Sequence, residues 1–435
     1  MKKLSSEKFN IPPSLKGKVF RAGEFFKKKA ENSSQADFLV ENLSHTERIK
    51  DGDAAYIHRK VKIPLEAGRS EDGYVFPDRT VFPTPDSSLL KILSGEEEWD
   101  AASLSGIIFI DTETTGLAGG TGTYPFLCGA GYFEEKAFVV EQFFMEDFPH
   151  EPLMLDRMGK KLREAEALAS YNGKTFDVPL LKTRYIYNRI RVNLEIPHID
   201  LLHPSRRIWR GVLSDCRLET VEKEFFHLYR EKDVDSSLIP QIYFHFIRGR
   251  HLDWMLPVFH HNVQDIVTLG ALLLFFCRIM SDPEKSDLKH PLELWGLGKM
   301  FLKSGDVDKA LKTLEQALYL SREADLAEMM LFHIGRLYKK IGRWEEALDT
   351  WRSLVKSSAR HRINSAVEMA KYYEHRKKEP HTAREILLQA LGGLEMAAEL
   401  ESYLDGIKES PVNELTPELE HRLRRLEKKI KKQQG

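Results

Sequence analysis

Ile107-Ile108-Phe109-Ile110-Asp111-Thr112-Glu113-Thr114-Thr115-Gly116-Leu117 is the stretch on which the reading of this chain turns. Its first four residues form a short, wholly apolar run of the kind that is buried on both faces of a sheet. Side chains alternate along a strand, so Asp111 and Glu113 project from one face at the end of that run. Two carboxylates this close repel each other unless a cation lies between them, and hard oxygen ligands suit Mg2+ or Mn2+. Taken alone, an Asp-x-Glu pair on a strand says little; two further segments strengthen it.

The first is Tyr171-Asn172-Gly173-Lys174-Thr175-Phe176-Asp177, a strand end turning into a helix. Asp177 supplies a third carboxylate there, and Asn172 and Lys174 are placed to face a phosphate. A phosphate-loop reading of Gly-Lys-Thr fails, because that pattern needs a glycine at position 168, which is Leu168. The second is His260-His261-Asn262-Val263-Gln264-Asp265, read as the start of the last helix of the domain, with a fourth carboxylate beside imidazole. The glycine-rich stretch Gly116 to Gly122 reads as a turn that lets backbone approach the site.

Around these segments the pattern is that of an α/β domain. Phe126 to Phe133 and Ala137 to Phe144 read as a hairpin across Glu134-Glu135-Lys136. Helices are expected over Glu151 to Ala165, Phe176 to Asn188, Leu218 to Phe225 and Val263 to Ile279, with strands at Ala167 to Tyr171 and His198 to Leu201.

Asp-Thr-Glu-Thr-Thr-Gly-Leu, Asn-x-x-x-Phe-Asp and a His-containing segment ending in Asp are together similar to the three exonuclease motifs of the DEDD superfamily. The accompanying Gly119-Gly120-Thr121-Gly122-Thr123, His198-Ile199-Asp200-Leu201-Leu202-His203 and Arg206-Arg207-Ile208-Trp209 resemble one bacterial branch, the YprB-type ribonuclease H-like exonucleases. The resemblance spans roughly residues 100–280. It implies a ribonuclease H-like three-layer domain with a mixed central sheet, and 3′–5′ removal of nucleotides from a single-stranded DNA or RNA end. Two Mg2+ or Mn2+ ions would be held by Asp111, Glu113, Asp177 and Asp265, with Asp111 and Glu113 central to catalysis. Thr114, Leu117, Asn172, Lys174, Arg206 and Arg207 would contact substrate. A histidine would be the general base. His260 fits the five-residue offset of the histidine subclass, whereas His261 stands four before Asp265; if the helix includes this stretch, only an i,i+4 pair shares a face. The rival reading is a nuclease-fold scaffold that binds nucleic acid while a second module recruits a protein.

That module begins after Asp282-Pro283. Leu294, Gly298, Phe301, Ala310, Leu314 and Ala317 are matched by Leu331, Gly335, Tyr338, Ala347, Trp351 and Leu354, with Gly298 to Gly335 and Ala310 to Ala347 both 37 apart. A weaker copy runs through Ala370, Tyr373, Ala383, Leu387 and Ala390. Small residues where paired helices cross are what a helix–turn–helix solenoid needs, and the pattern resembles tetratricopeptide repeats, which implies a protein partner. The expected organisation is a loosely structured extension over 1–100, the exonuclease domain over 101–283, an all-α solenoid over 288–400 and a basic helical or disordered tail over 401–435.

Composition bounds what remains. With 42% hydrophobic and 30% charged residues in 435, the chain is globular and too long for one ordinary domain. The 65 Lys+Arg against 66 Asp+Glu exclude a uniformly basic coat, yet the balance is a cancellation: residues 1–30 hold nine Lys/Arg and two Glu, and 421–435 seven and one. Between Lys182 and Arg217 basic residues interleave with aromatics (Arg184, Tyr185, Tyr187, Arg189, Arg206, Trp209), a pattern suited to single-stranded nucleic acid. Cys128, Cys216 and Cys277 show no metal or disulfide spacing. No secretory signal precedes residue 30, and the longest apolar run, Ile266 to Cys277, is too short to cross a bilayer, so a cytoplasmic location without membrane contact is expected.

Overall fold

The computed structural model describes residues 34–66, 69–77, 87–96, 98–99, 103–116, 122–230, 233–405 and 412–434. The chain divides into two compact units, Met1–Asp287 and Leu288–Gly435.

The first unit is built on seven strands: β1 (Thr46–Asp51), β2 (Ala54–Pro64), β3 (Ile107–Thr114), β4 (Pro125–Phe133), β5 (Ala137–Met145), β6 (Ala167–Ser170) and β7 (His198–Asp200). They lie in the order β1-β2-β5-β4-β3-β6-β7. The pairs from β1 through β3 are antiparallel, whereas β3, β6 and β7 run parallel. The sheet is therefore mixed. Ile107, Ile108, Phe109 and Ile110 are all buried, as their apolar run demands, each contributing about 1.5–3 kcal/mol.

Helix α1 (Gln35–Asn42) precedes β1, α2 (Ser87–Ser94) lies between β2 and β3, and α3 (Glu151–Leu162), α4 (Asp177–Tyr187), α5 (Leu202–Trp209), α6 (Ile239–Phe246) and α7 (Met255–Ser281) follow β5. Met154, Leu155 and Met158 of α3 and Leu181 of α4 pack in one core with Cys128 and Ala130 of β4. The opposite face of β4 carries Gly129 and Gly131, against which α7 lies. A Cβ at Gly129 would stand 2.1 Å from Cδ1 of Ile266 and 2.5 Å from Oδ1 of Asn262. Missing side chains on the strand let the helix descend onto the sheet and carry polar residues to the strand ends. By length and composition the Leu252–Ser281 helical stretch could cross a membrane, but its most apolar window is 83% buried, as in a core helix.

The expected loose extension over 1–100 is corrected here. Residues 46–64 form two sheet strands, and β2 pairs with β5 along nine positions. Ile57, Arg59, Val61 and Ile63 alternate inward while His58, Lys60 and Lys62 do not, a period of two that binds this segment to the sheet. Residues 1–33 lie outside those described. Helix α7 begins eight residues before the expected Val263, so both His260 and His261 are inside it.

The second unit is all helical: α8 (Pro291–Ser304), α9 (Val307–Leu320), α10 (Ala324–Lys340), α11 (Trp344–Ser353), α12 (Ala359–Tyr372), α13 (Pro380–Asp405) and α14 (Val412–Gln434). Where α10 crosses α11, a Cβ on Gly335 would stand 2.5 Å from Nε1 of Trp351, which is why the repeat places glycine there. The basic C-terminal segment is not a free tail: Leu419, Leu423 and Leu426 of α14 are buried with Ile363, Ala366 and Leu387. Its Arg425 also reaches the buried Glu374 at 2.6 Å.

Candidate active site

The parallel strands β3, β6 and β7 end on the same edge of the sheet, where open α/β sheets place their ligands. Asp111 and Glu113 occupy the last turns of β3, facing α7. Asp177 opens α4 after β6; its carboxylate accepts from the backbone N–H of Thr112 at 3.1 Å and from the Thr112 hydroxyl at 2.5 Å, which ties it to β3. Asp265 comes from α7, one turn after His261, whose Nε2 lies 3.4 Å from Asp265 and 3.9 Å from Glu113. The structure thus brings Asp111, Glu113, Asp177, Asp265 and His261 into one cluster.

Its electrostatics follow from burial and crowding. Asp111 is held far above the ordinary carboxylate range, first by burial and then by Asp265, Glu113 and Asp177. Glu113 and Asp177 are also raised, in each case chiefly by burial. Burial opposes charge on His261, but Asp265, Asp233 and Glu113 outweigh it and raise the ring. The cluster is a crowded, partly buried set of acids whose full ionisation divalent cations would relieve, with the oxygen ligands that such ions prefer. Among the described residues, no group of three or more His, Cys, Asp or Glu donors converges on one point as the side chains stand. One reason is visible: the Arg230 guanidinium bonds to Oδ1 of Asp265.

Arg230 also donates to both oxygens of Glu222 at 2.6 Å and to Asp233 at 3.3 Å, and its guanidinium lies 3.2 Å from Nδ1 of His261. Asp233 in turn stands 2.6 Å from Nδ1 of His261 and fixes the orientation of the imidazole. None of these three was expected to serve the site. Nor was the buried relay behind Asp111. Nδ2 of Asn262 donates to the Asp111 carboxylate at 2.8 Å, Nε2 of Gln142 donates to Oδ1 of Asn262 at 2.9 Å, and the buried Arg59 donates to Oε1 of Gln142 at 3.2 Å. Asp72 balances Arg59 at 3.1 Å. Asn262 was the one member with a signal, an amide inside the very motif that carries His261 and Asp265.

Other expected contacts fall elsewhere. His260 faces away from the acids and bonds to the hydroxyl of Tyr74. Lys174 points its ammonium at the carbonyl of Ser94, 3.4 Å away, at the end of α2. Asn172 adopts the left-handed region at φ 68, and its N–H and that of Lys174 donate to Asp200 at 2.7 and 3.1 Å. Asp200 therefore shapes the loop before Asp177. The Thr114 hydroxyl donates to Gly116 at 2.9 Å, closing the turn after β3. Arg206 and Arg207 are exposed on α5, unbonded to the four acids. Leu117 lies outside the described residues. Within the basic, aromatic window, Arg184 and Tyr185 are buried: the Arg184 guanidinium pairs with Glu151 at 2.6 Å, so it is core structure and does not track phosphates.

A model of the RNase_H superfamily matches residues 108–274, a span that contains all four acids and His261. A Bacillus subtilis (strain 168) protein, "Uncharacterized protein YprB", is 34% identical over 302 residues, covering 68% of this chain and 72% of the relative. This chain belongs to the YprB family. Its core is a ribonuclease H-like domain of a nuclease superfamily, and two tetratricopeptide repeat models match residues 296–328 and 330–359. The two kinds of match fall in the two units of the structure, one in each.

Proposed function

We propose that the first unit is a metal-dependent 3′–5′ exonuclease that hydrolyses phosphodiester bonds at single-stranded ends of DNA or RNA, and that the repeats bind a protein partner. The observation that carries this is the gathering of four partly buried acids from three separate segments beside one imidazole. Asp111, Glu113, Asp177 and Asp265 would hold two Mg2+ or Mn2+ ions. When bound, these supply a water of lowered pKa and charge stabilisation for the leaving 3′ oxygen.

The chain's own residues do the rest. Thr112 fixes Asp177, and Asn262 turns one oxygen of Asp111 away from rotation. Once the acids around it are charge-balanced, His261 is free to be neutral and to take a proton at Nε2, because Asp233 holds Nδ1 as the donor. Of the residues expected on the substrate backbone, Arg206 and Arg207 keep exposed side chains for that role, whereas Lys174 is directed at Ser94.

The pairing of Arg230 with Asp265 favours one alternative, a scaffold in which the guanidinium permanently takes the place of a cation. Incubation with 5′-labelled single-stranded DNA and RNA in Mg2+ or Mn2+, beside Asp111→Ala, separates the two. Shortening from the 3′ end that the variant lacks supports the nuclease; equal inactivity of both proteins on every substrate supports the scaffold.

A further inference from the structure

Arg230 joins the acid cluster to a carboxylate that none of the sequence motifs contains. Its Nε and Nη2 donate to the two oxygens of Glu222, each at 2.6 Å, and Glu222 is buried and also accepts from the Thr268 hydroxyl of α7. The backbone builds this approach. A π-helical turn over Glu222–Phe226, a device common at functional sites, ends at His227, whose φ of 51 lies in the left-handed region, and Arg230 returns onto Glu222. The same Nη2 also donates to Oδ1 of Asp265. One guanidinium is therefore divided between an anchoring acid outside the four and an acid of the site itself.

The four acids are not partnered alike. Asp111 accepts from the Asn262 amide at 2.8 Å and Asp177 from Thr112, both neutral donors. Among the described residues, Asp265 is the one of the four paired with an arginine or lysine. Its other oxygen, Oδ2, stands 3.4 Å from Nε2 of His261. A guanidinium does not lose its proton in a protein, and a fixed positive charge in contact with a carboxylate repels a second cation brought to the same group. The paired bonds to Glu222 keep that charge in place even when Asp265 turns from it, because they are made independently of Asp265.

We infer that Arg230 competes with a divalent cation for Asp265, so that the acids bind metal less tightly than they would without it, and that Glu222 tempers this competition. Arg230 is in this role a positioning residue, since it acts on the ion through Asp265. The inference rests on the reading of the four acids as a metal site and does not require that the site cut nucleic acid. The negative charge of Glu222 offsets the guanidinium; without it, Arg230 opposes the ion uncompensated. The two partners of one buried ion pair thus have opposite effects on the metal.

The test titrates Mn2+ into the full-length protein without nucleic acid and reads the free ion by electron paramagnetic resonance. Arg230→Gln should bind Mn2+ at least about tenfold more tightly than the wild type, and Glu222→Gln more weakly than the wild type. Arg230→Gln leaves Glu222 buried without its cation, so the double variant Glu222→Gln, Arg230→Gln, which strands neither charge, guards against misfolding. It too should bind more tightly than the wild type, by a smaller factor. A residue that merely held the fold together would weaken binding in all three variants. Affinities of Arg230→Gln and the double variant at or below that of the wild type would overturn the inference and leave the nuclease reading standing. Tighter binding in proteins that shorten no labelled DNA or RNA would keep the inference and overturn the nuclease. Mn2+ bound by none of the four proteins would overturn the metal site, and the inference with it.

Discussion

The two units bury different things. In the repeats the buried contacts join residues close in sequence: Gly335 receives Trp351, and the His290–Glu293 capping box starts α8 within one turn. In the nuclease-like unit, buried polar groups meet across the chain. Asn262 reaches Asp111 from 151 residues away, and Arg59 reaches Gln142 from 83. A solenoid is a sum of near neighbours, whereas a site at strand ends is assembled from segments that only the sheet brings together.

The sharpest way to break this contrast is to remove one half of a long-range buried pair. Arg184→Met leaves Glu151 buried without its cation, held only by the Asn188 amide at 2.9 Å, and should destabilise the first unit by about 3–5 kcal/mol. In calorimetry the transition of the repeats should stay in place; a joint shift of both transitions would show that the units are not separable in this way. Next comes Gln142→Leu, which strands the amide of Asn262 and the guanidinium of Arg59, at a cost of about 1–3 kcal/mol. Its effect on the proposed metal-dependent nuclease activity should exceed its effect on melting, because Asp111 loses its orientation; parallel losses would mean the relay is only structural.

A pH measurement sharpens the same comparison. Burial, then Lys174, lowers His198 to about 4, and its ring accepts or donates one bond with Ser170 at 2.7 Å. The folded state therefore prefers the neutral ring. Its contribution is fully present above the unfolded value of 6.5 and is lost as pH falls towards 4, about 2 kcal/mol between pH 7 and pH 5. His198→Gln should flatten that part of the urea-stability profile of the first unit and leave the repeats unaffected. The smallest effect is expected in the repeats. Gly335→Ala gains about 1 kcal/mol of helix propensity but crowds Trp351 by about 1–3 kcal/mol, for a net loss near 1 kcal/mol confined to the second unit. A gain in stability would show that Trp351 can yield.

How legible each unit was follows from the same contrast. The acids announced themselves because Asp111 and Glu113 share a strand face by alternation and His261 and Asp265 share a helix face by their spacing. The alternation of Ile57, Arg59, Val61 and Ile63 was equally readable, but prolines on either side of it made the first hundred residues look unstructured. Arg230 and Asp233 lie in a charged stretch, Tyr229 to Asp235, that reads as surface, and no local pattern distinguishes them from a solvated loop. Arg184 misled for the complementary reason: a helical window of arginines and aromatics looks the same whether it faces solvent or a buried Glu151.

Periodicity determined the apolar strand, its paired acids and the register of the repeats, because each is set by neighbours along the chain. Tertiary structure alone decided that His260 turns to Tyr74 while His261 meets Asp233 beside Arg230, and that a strand from the first hundred residues stands behind Asp111. Those relations depend on the rotation of one helix and the order of seven strands, and hydrogen bonds between residues far apart leave no spacing in a sequence to read.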